Sequence, residues 1–179
     1  MHVVAIDGSP QGGGRTATAL REVLRGAESA GATSTLVALA DVAAGDAIDT
    51  IDRADAVVFG SPVYRASFVF ELKQLLDQLP RGMWGETRAP IHGKAVAIVT
   101  TSASLHHFLA LNDLRNVLAG FFAAHIVPPG LHVSRENYNG DGGLDTQTTE
   151  LAARQGAALV ELARVLPECP ALRSVVAQA

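Results

Sequence analysis

The sequence predicts an α/β fold, a doubly wound three-layer sandwich in which one parallel sheet lies between two layers of helices. Three observations predict it. Short β-branched apolar runs recur along the chain: HVVAID (2–7), STLVAL (34–39), DAVVFG (55–60), KAVAIVTT (94–101) and HIVP (125–128). Most are apolar at odd and even positions alike, the pattern of strands buried on both faces. The stretches between them repeat apolar residues at helical spacing, so strand and helix alternate and right-handed crossovers are expected rather than hairpins.

Each helix follows from its own pattern. Leu20, Val23, Leu24 and Ala27 stand at i, i+3, i+4 and i+7 and give the first helix one apolar face. A short second helix is expected over 46–53. Leu72, Leu75, Leu76 and Leu79 repeat the spacing in a third, with Ser67 as its expected N-cap. A fourth runs through about 108–122, and a last one spans about 146–166, stopping before Pro167, whose ring cannot continue a helix. Segments 80–93 and 136–143 read as surface loops. No repeat, low-complexity tract or linker divides the chain, so the 179 residues are expected to form one domain, with the last ten or so as a tail.

Composition excludes several classes of function. A formal net charge of −4 leaves no basic stripe for nucleic acid or for an anionic membrane surface. The single cysteine, Cys169, can form neither an internal disulfide nor a thiolate zinc site, which suits a reducing cytoplasm. The N-terminal apolar run breaks at Asp7 and Gly8, so no signal peptide or transmembrane span is expected.

Ligands of a doubly wound sheet bind beyond the carboxyl ends of the strands, where the strand order reverses. Three segments occupy such places: IDGSPQGGGRTA after the first strand, GSPVYRASF after the third and TTSASLHHF after the fourth. The first combines small residues, the hydroxyls of Ser9 and Thr16 and the cation Arg15 just ahead of a helix, where free N–H groups and the helix dipole favour a phosphate. A Walker A loop is excluded because the segment has no lysine. Residues 12–17 do match GxGxxA, but four residues separate the strand from Gly12, whereas a dinucleotide fingerprint places its first glycine at the strand end. The longer loop suits a terminal phosphate monoester. In the second segment Pro62 lacks an N–H and Tyr64 carries a ring, so the loop can lie flat against a planar ligand or pack at the sheet edge. In the third, small residues can aim N–H groups at developing negative charge. His106 and His107 follow it, but adjacent helical positions diverge by about 100°, a poor geometry for one metal ion. Asp7 reads as structural, its charge opposing a phosphate unless paired, with Arg15 as the candidate partner.

GSPQGGGRT with its following helix, and GSPVYRASFVFELKQLLDQLP, resemble the NAD(P)H-dependent FMN reductase family, a flavodoxin-like group. The similarity covers roughly residues 2–125, and PVYRASF is most similar to the sulfonate-utilisation type. The resemblance implies a flavodoxin-like five-stranded sheet of order 2-1-3-4-5. It assigns Ser9, Gln11, Arg15, Thr16 and Ala17 to the FMN phosphate. Pro62, Val63, Tyr64 and Arg65 would bracket the isoalloxazine, with Thr101, Ser102, Ala103, Ser104 and His106 at its other edge. It further implies hydride transfer from NADPH or NADH without an obligatory acid or base, delivery of reduced flavin to a flavin-dependent monooxygenase, and a homodimer or homotetramer. A quinone, azo or xenobiotic reductase that retains its flavin is the alternative within enzymes, and a flavodoxin-like electron carrier the alternative outside them. The helix after the third loop is one residue shorter than in the sulfonate type and lacks its tyrosine. Arg65 and Arg81 do not distinguish NADPH from NADH.

Overall fold

The computed structural model describes residues 1–176. Strands β1 (His2–Asp7), β2 (Thr33–Ala38), β3 (Ala56–Tyr64), β4 (Ser67–Phe68), β5 (Ala95–Ser102), β6 (His125–Ile126) and β7 (Leu131–Ser134) alternate with helices α1 (Arg15–Ser29), α2 (Ala44–Arg53), α3 (Phe70–Gln78), α4 (Ala110–Arg115) and α5 (Thr146–Val165). The main path of the sheet runs β2-β1-β3-β5-β6, all parallel.

The sheet thus has seven strands, not five, for two local reasons. β6 and β7 both pair in parallel with β5, at Ala95↔His125 and at Val99↔Leu131 through Ser102↔Ser134. They occupy the fifth position of the predicted winding in two pieces, separated by Pro128, Pro129 and Gly130. A proline supplies no N–H to a ladder, so the strand is interrupted there. The sequence reading ended this strand at Pro128 and missed LHVS. The second addition is β4, a two-residue antiparallel strand on the end of β3.

Alternate faces of the strands build two cores. Val3, Ala5 and Val58 pack with α1 and α5, and Val4, Ile6, Val57 and Phe59 with α2, α3 and α4. On α1 the predicted stripe is buried: Leu20, Val23 and Ala27 are fully inaccessible and Leu24 nearly so. Burying each leucine or valine contributes about 1.5–3 kcal/mol, far more than helix propensity supplies. The contact of α1 with α5 is closer still. A Cβ built on Gly26 would lie 2.0 Å from the Ala153 carbonyl oxygen, and one on Gly156 1.9 Å from that of Val23. The two backbones touch, and only glycine fits at either position.

Several elements differ from expectation. β2 is a half-exposed edge strand rather than one buried on both faces, because the sheet ends there. Ser67 lies in β4, and the cap position of α3 is Val69. The expected helix over 108–122 is two pieces, α4 and a π-helical stretch (Asn116–Phe121), with a 3₁₀ turn (Leu105–His107) ahead of them. Pro170–Arg173 form a helical turn within the expected tail, of which residues 177–179 lie outside the described residues.

Candidate functional site

The carboxyl ends of β1, β3 and β5 are neighbours in the sheet, and their loops enclose an open cleft of about 690 Å³. That volume suits a ligand of nucleotide size.

The floor begins at Asp7, fully buried at the end of β1. Its Oδ1 accepts the Ser9 N–H at 2.9 Å and the Ser9 hydroxyl at 2.5 Å, while its Oδ2 has no hydrogen-bond partner. This turn draws the chain back beneath the loop. It also corrects the pairing expected for Asp7. The Ser9 hydroxyl, which lines the cleft, donates to Asp7, and Asp7 pairs with Ser9 rather than with Arg15. Beyond Ser9, Gly12 and Gly13 hold φ of +62° and +66°, the left-handed region that other residues enter at a cost of about 1–2 kcal/mol.

Helix α1 then starts without a side-chain cap. Gly12 donates to Ser9, and the helical ladder begins with the Thr18 N–H on Gly14 at 3.0 Å. The N–H groups of residues 14–17 precede that first bond, and they are the orphan donors of a helix N-terminus. Their dipole and the Arg15 guanidinium make this corner electropositive. Gln11, Arg15 and Thr16 line the cleft, whereas Ala17 is buried and outside its lining. Thr16 shares a hydrogen bond with Thr101 at 2.8 Å, hydroxyl to hydroxyl, joining the phosphate-side loop to the end of β5.

Pro62, Val63 and Tyr64 form the second wall on the last residues of β3. Tyr64 is 58% exposed. Arg65 and Ala66 turn the chain into β4 with φ of +53° and +71°, so two non-glycine residues hold left-handed backbone beside the cleft. Ser61 fixes the far side of this hairpin, accepting the Val69 N–H at 3.0 Å. Arg65 is exposed and Ser104 half-buried, and both lie outside the cleft lining.

Thr101, Ser102 and Ala103 form the third wall. Ser102 donates its hydroxyl to the Ser104 carbonyl at 2.6 Å, which closes the loop on itself. His106 and His107 are exposed on the turn beyond, and no cluster of His, Cys, Asp or Glu suitable for a metal ion occurs among the described residues. Arg81 stacks over Phe121, 3.5 Å from the ring centroid, and is not part of the cleft.

Two residues that the sequence reading passed over complete the surroundings. Tyr138, within the segment read as a surface loop, donates its hydroxyl to the Arg15 carbonyl at 2.8 Å, and its ring lies 5.5 Å from the Arg15 guanidinium carbon. His132 on β7 touches the side chains of both Thr100 and Ser102. A lone tyrosine in a glycine-rich loop and a histidine in a four-residue strand carry no local signal of either role.

An α/β sheet with an anion-binding helix start and a flat apolar wall at its switch point defines a flavodoxin-like mononucleotide-binding fold. The chain belongs to the NADPH-dependent FMN reductase family, whose model matches residues 1–138. An NADH-dependent FMN reductase of Pseudomonas putida, SfnF, is 33% identical over 92 residues, which cover 51% of this chain and 46% of that protein. The chain therefore matches about half the length of its curated relatives. Among solved structures, the apo form of an NADH:FMN oxidoreductase (EMOB) superposes with a TM-score of 0.74 at 23% identity, over 96% of this chain and 93% of that one. A WrbA-like flavodoxin from Agrobacterium tumefaciens gives 0.66 at 26% identity, over 91% and 96%.

The residues present fit FMN. Free N–H donors and Arg15 suit a dianionic phosphate, the small side chains leave room for a ribityl chain, and the wall from Pro62 to Tyr64 suits a planar ring. No helix of the described residues is long and apolar enough to cross a membrane.

Proposed function

We propose that this chain is an NAD(P)H-dependent FMN reductase that acts as a single flavin-binding domain. The observation that carries the reading is the convergence of three loops on one cleft, with unpaired N–H groups at one end and an apolar wall at the other. Bound FMN would supply the hydride-accepting chemistry, taking two electrons from a reduced nicotinamide. The chain's own part is binding and alignment. The N–H groups of residues 14–17 and the Arg15 guanidinium would hold the phosphate, with Ser9, Gln11 and Thr16 beside them. Pro62, Val63 and Tyr64 support one side of the ring, and Thr101, Ser102 and Ala103 meet its edge. Arg65, exposed on the turn that follows this wall, would serve the nicotinamide donor. No acid–base pair is required of the cleft when the rings are aligned.

The similarity of PVYRASF to the sulfonate-utilisation type favours release of reduced flavin over permanent retention. We therefore read the product as reduced FMN released to a flavin-dependent monooxygenase, within a cytoplasmic reductase. Phe70, Phe108 and Leu109 are more than half exposed on the elements flanking the second and third loops, which supports a homodimer or homotetramer formed on that face. Light scattering tests the assembly, a monomeric mass being the contrary result.

The reaction is tested by anaerobic stopped-flow mixing of FMN-loaded protein with NADPH or NADH, followed by ultrafiltration. Bleaching with flavin in the filtrate is the expected outcome. Bleaching with flavin retained would instead favour a quinone, azo or xenobiotic reductase, and no bleaching with either nucleotide would favour an electron carrier.

A further inference from the structure

We propose that His132 is a positioning residue for the ring-side loop of the cleft, acting through Ser102 as a neutral imidazole that protonation would disconnect. The inference rests on the flavin-site reading above and adds to it a residue and a pH response.

The hydrogen bonds allow one proton arrangement. Ser102 donates its only proton to the Ser104 carbonyl at 2.6 Å, so its oxygen must accept from His132 Nε2 at 3.0 Å. Nε2 then carries the hydrogen of a neutral ring, and Nδ1 presents its lone pair. Thr100 lies 2.8 Å from Nδ1 and donates to it. Protons thus point in one direction along Thr100, His132, Ser102 and Ser104. The strand register creates this chain, since Thr100 pairs with His132 and Ser102 with Ser134, leaving the imidazole level with both hydroxyls on one face of the sheet. Ser102 lines the cleft and Thr100 is wholly buried.

A second proton on the imidazole would place an N–H against the Thr100 hydroxyl. That hydroxyl would have to turn its own proton away inside a buried environment, where an unmatched donor is costly. Burial lowers the His132 pKa below the ordinary histidine range; the Ser104 carbonyl partly opposes this and the charge of His107 adds to it. Other elements around it contribute little charge. β5 offers only hydroxyls, His107 is on the 3₁₀ turn, and on α4 Asp113 is exposed while Arg115 is bonded to the Pro129 carbonyl. The neutral ring, and with it the ordered loop, is therefore the form at neutral pH. A flavin that requires the ordered loop binds fully above the His132 pKa and less tightly below it.

The test is the pH dependence of flavin fluorescence quenching, from pH 5 to pH 8, with FMN and with riboflavin. Riboflavin has no phosphate, so a pH step shared by both ligands belongs to the ring side. Wild-type protein is expected to lose affinity for both about fivefold on acidification, the equivalent of one neutral hydrogen bond. His132→Gln, whose amide can still donate to Ser102, is expected to keep the neutral-pH affinity and lose the step. His132→Phe is expected to bind both ligands weakly at every pH. Nitrogen NMR of the wild-type imidazole gives a readout that needs no variant: an Nε2–H tautomer at neutral pH, with its pKa lowered further by added flavin. A pH step unchanged in His132→Gln, or an imidazole indifferent to flavin, overturns the role of His132 while leaving the site intact. Failure of the wild-type protein to bind either flavin at any pH overturns both readings together.

Discussion

Tyr138 holds Arg15 twice, by a hydroxyl bond to its carbonyl oxygen at 2.8 Å and by a ring whose centroid lies 5.5 Å from the guanidinium. Burial raises the phenol above its ordinary pKa, with the Arg15 charge opposing, so the hydroxyl stays a donor at physiological pH. The ring restricts where the cation can point, and the cation is the charged partner available to a phosphate at the start of α1. Tyr138→Phe is expected to weaken FMN binding about fivefold, the loss of one neutral hydrogen bond. Tyr138→Leu, which also removes the ring face, should weaken it further. Riboflavin affinity should change in neither variant. Equal losses for the two ligands in a titration would mean that Tyr138 supports the fold and not the cation.

Ser9 gives a contrary expectation for a residue of the same loop. Its hydroxyl proton is committed to Asp7, so Ser9→Ala should change FMN affinity less than about threefold while lowering stability by about 1 kcal/mol. Denaturant unfolding and a binding titration on one variant measure both. A tenfold loss of affinity at unchanged stability would make the Ser9 hydroxyl a direct phosphate ligand.

At the contact of α1 with α5, helix propensity and packing predict opposite signs. Alanine in place of a helical glycine gains about 1 kcal/mol in an exposed helix. Here the added Cβ meets backbone at 2.0 Å from Gly26 and 1.9 Å from Gly156, and backbone cannot turn aside as a side chain can. Overpacking should win, with Gly26→Ala and Gly156→Ala each destabilising by about 3 kcal/mol. An unchanged denaturation midpoint in either would contradict the contact.

The turn at Arg65 and Ala66 predicts a stabilising change. Ala66 has φ of +71°, where a Cβ is unfavourable, so Ala66→Gly should relieve about 1 kcal/mol, less the entropy a glycine gains in the unfolded chain. Thermal unfolding should shift upward. A downward shift would show that the alanine methyl makes contacts worth more than the strain it imposes.

The legible parts of this molecule were those written in local pattern. Leu20, Val23, Leu24 and Ala27 declare the buried face of α1, and the small residues with Arg15 and Thr16 mark the helix start that lines the cleft. What escaped was set by distant register. His132 matters because it pairs with Thr100, and Tyr138 because the chain after β7 returns over α1. Ser67 has the chemistry of an N-cap, yet antiparallel pairing with Tyr64 claims its backbone for a strand. Tertiary pairing overrides cap preference there.

The hydroxyl bond between Thr16 and Thr101 joins positions 85 residues apart. No contiguous fragment containing one loop of the cleft can therefore reproduce it: β5 must already lie beside β3, and β3 beside β1, before the walls meet. A ligand of this cleft binds the completed sheet and has no purchase on partly assembled chains. Its concentration then enters the folding equilibrium directly, each tenfold excess over its dissociation constant adding about 1.4 kcal/mol to stability. Flavin supply would set how long an apo chain persists against proteolysis, making the cofactor a quality check on its own container.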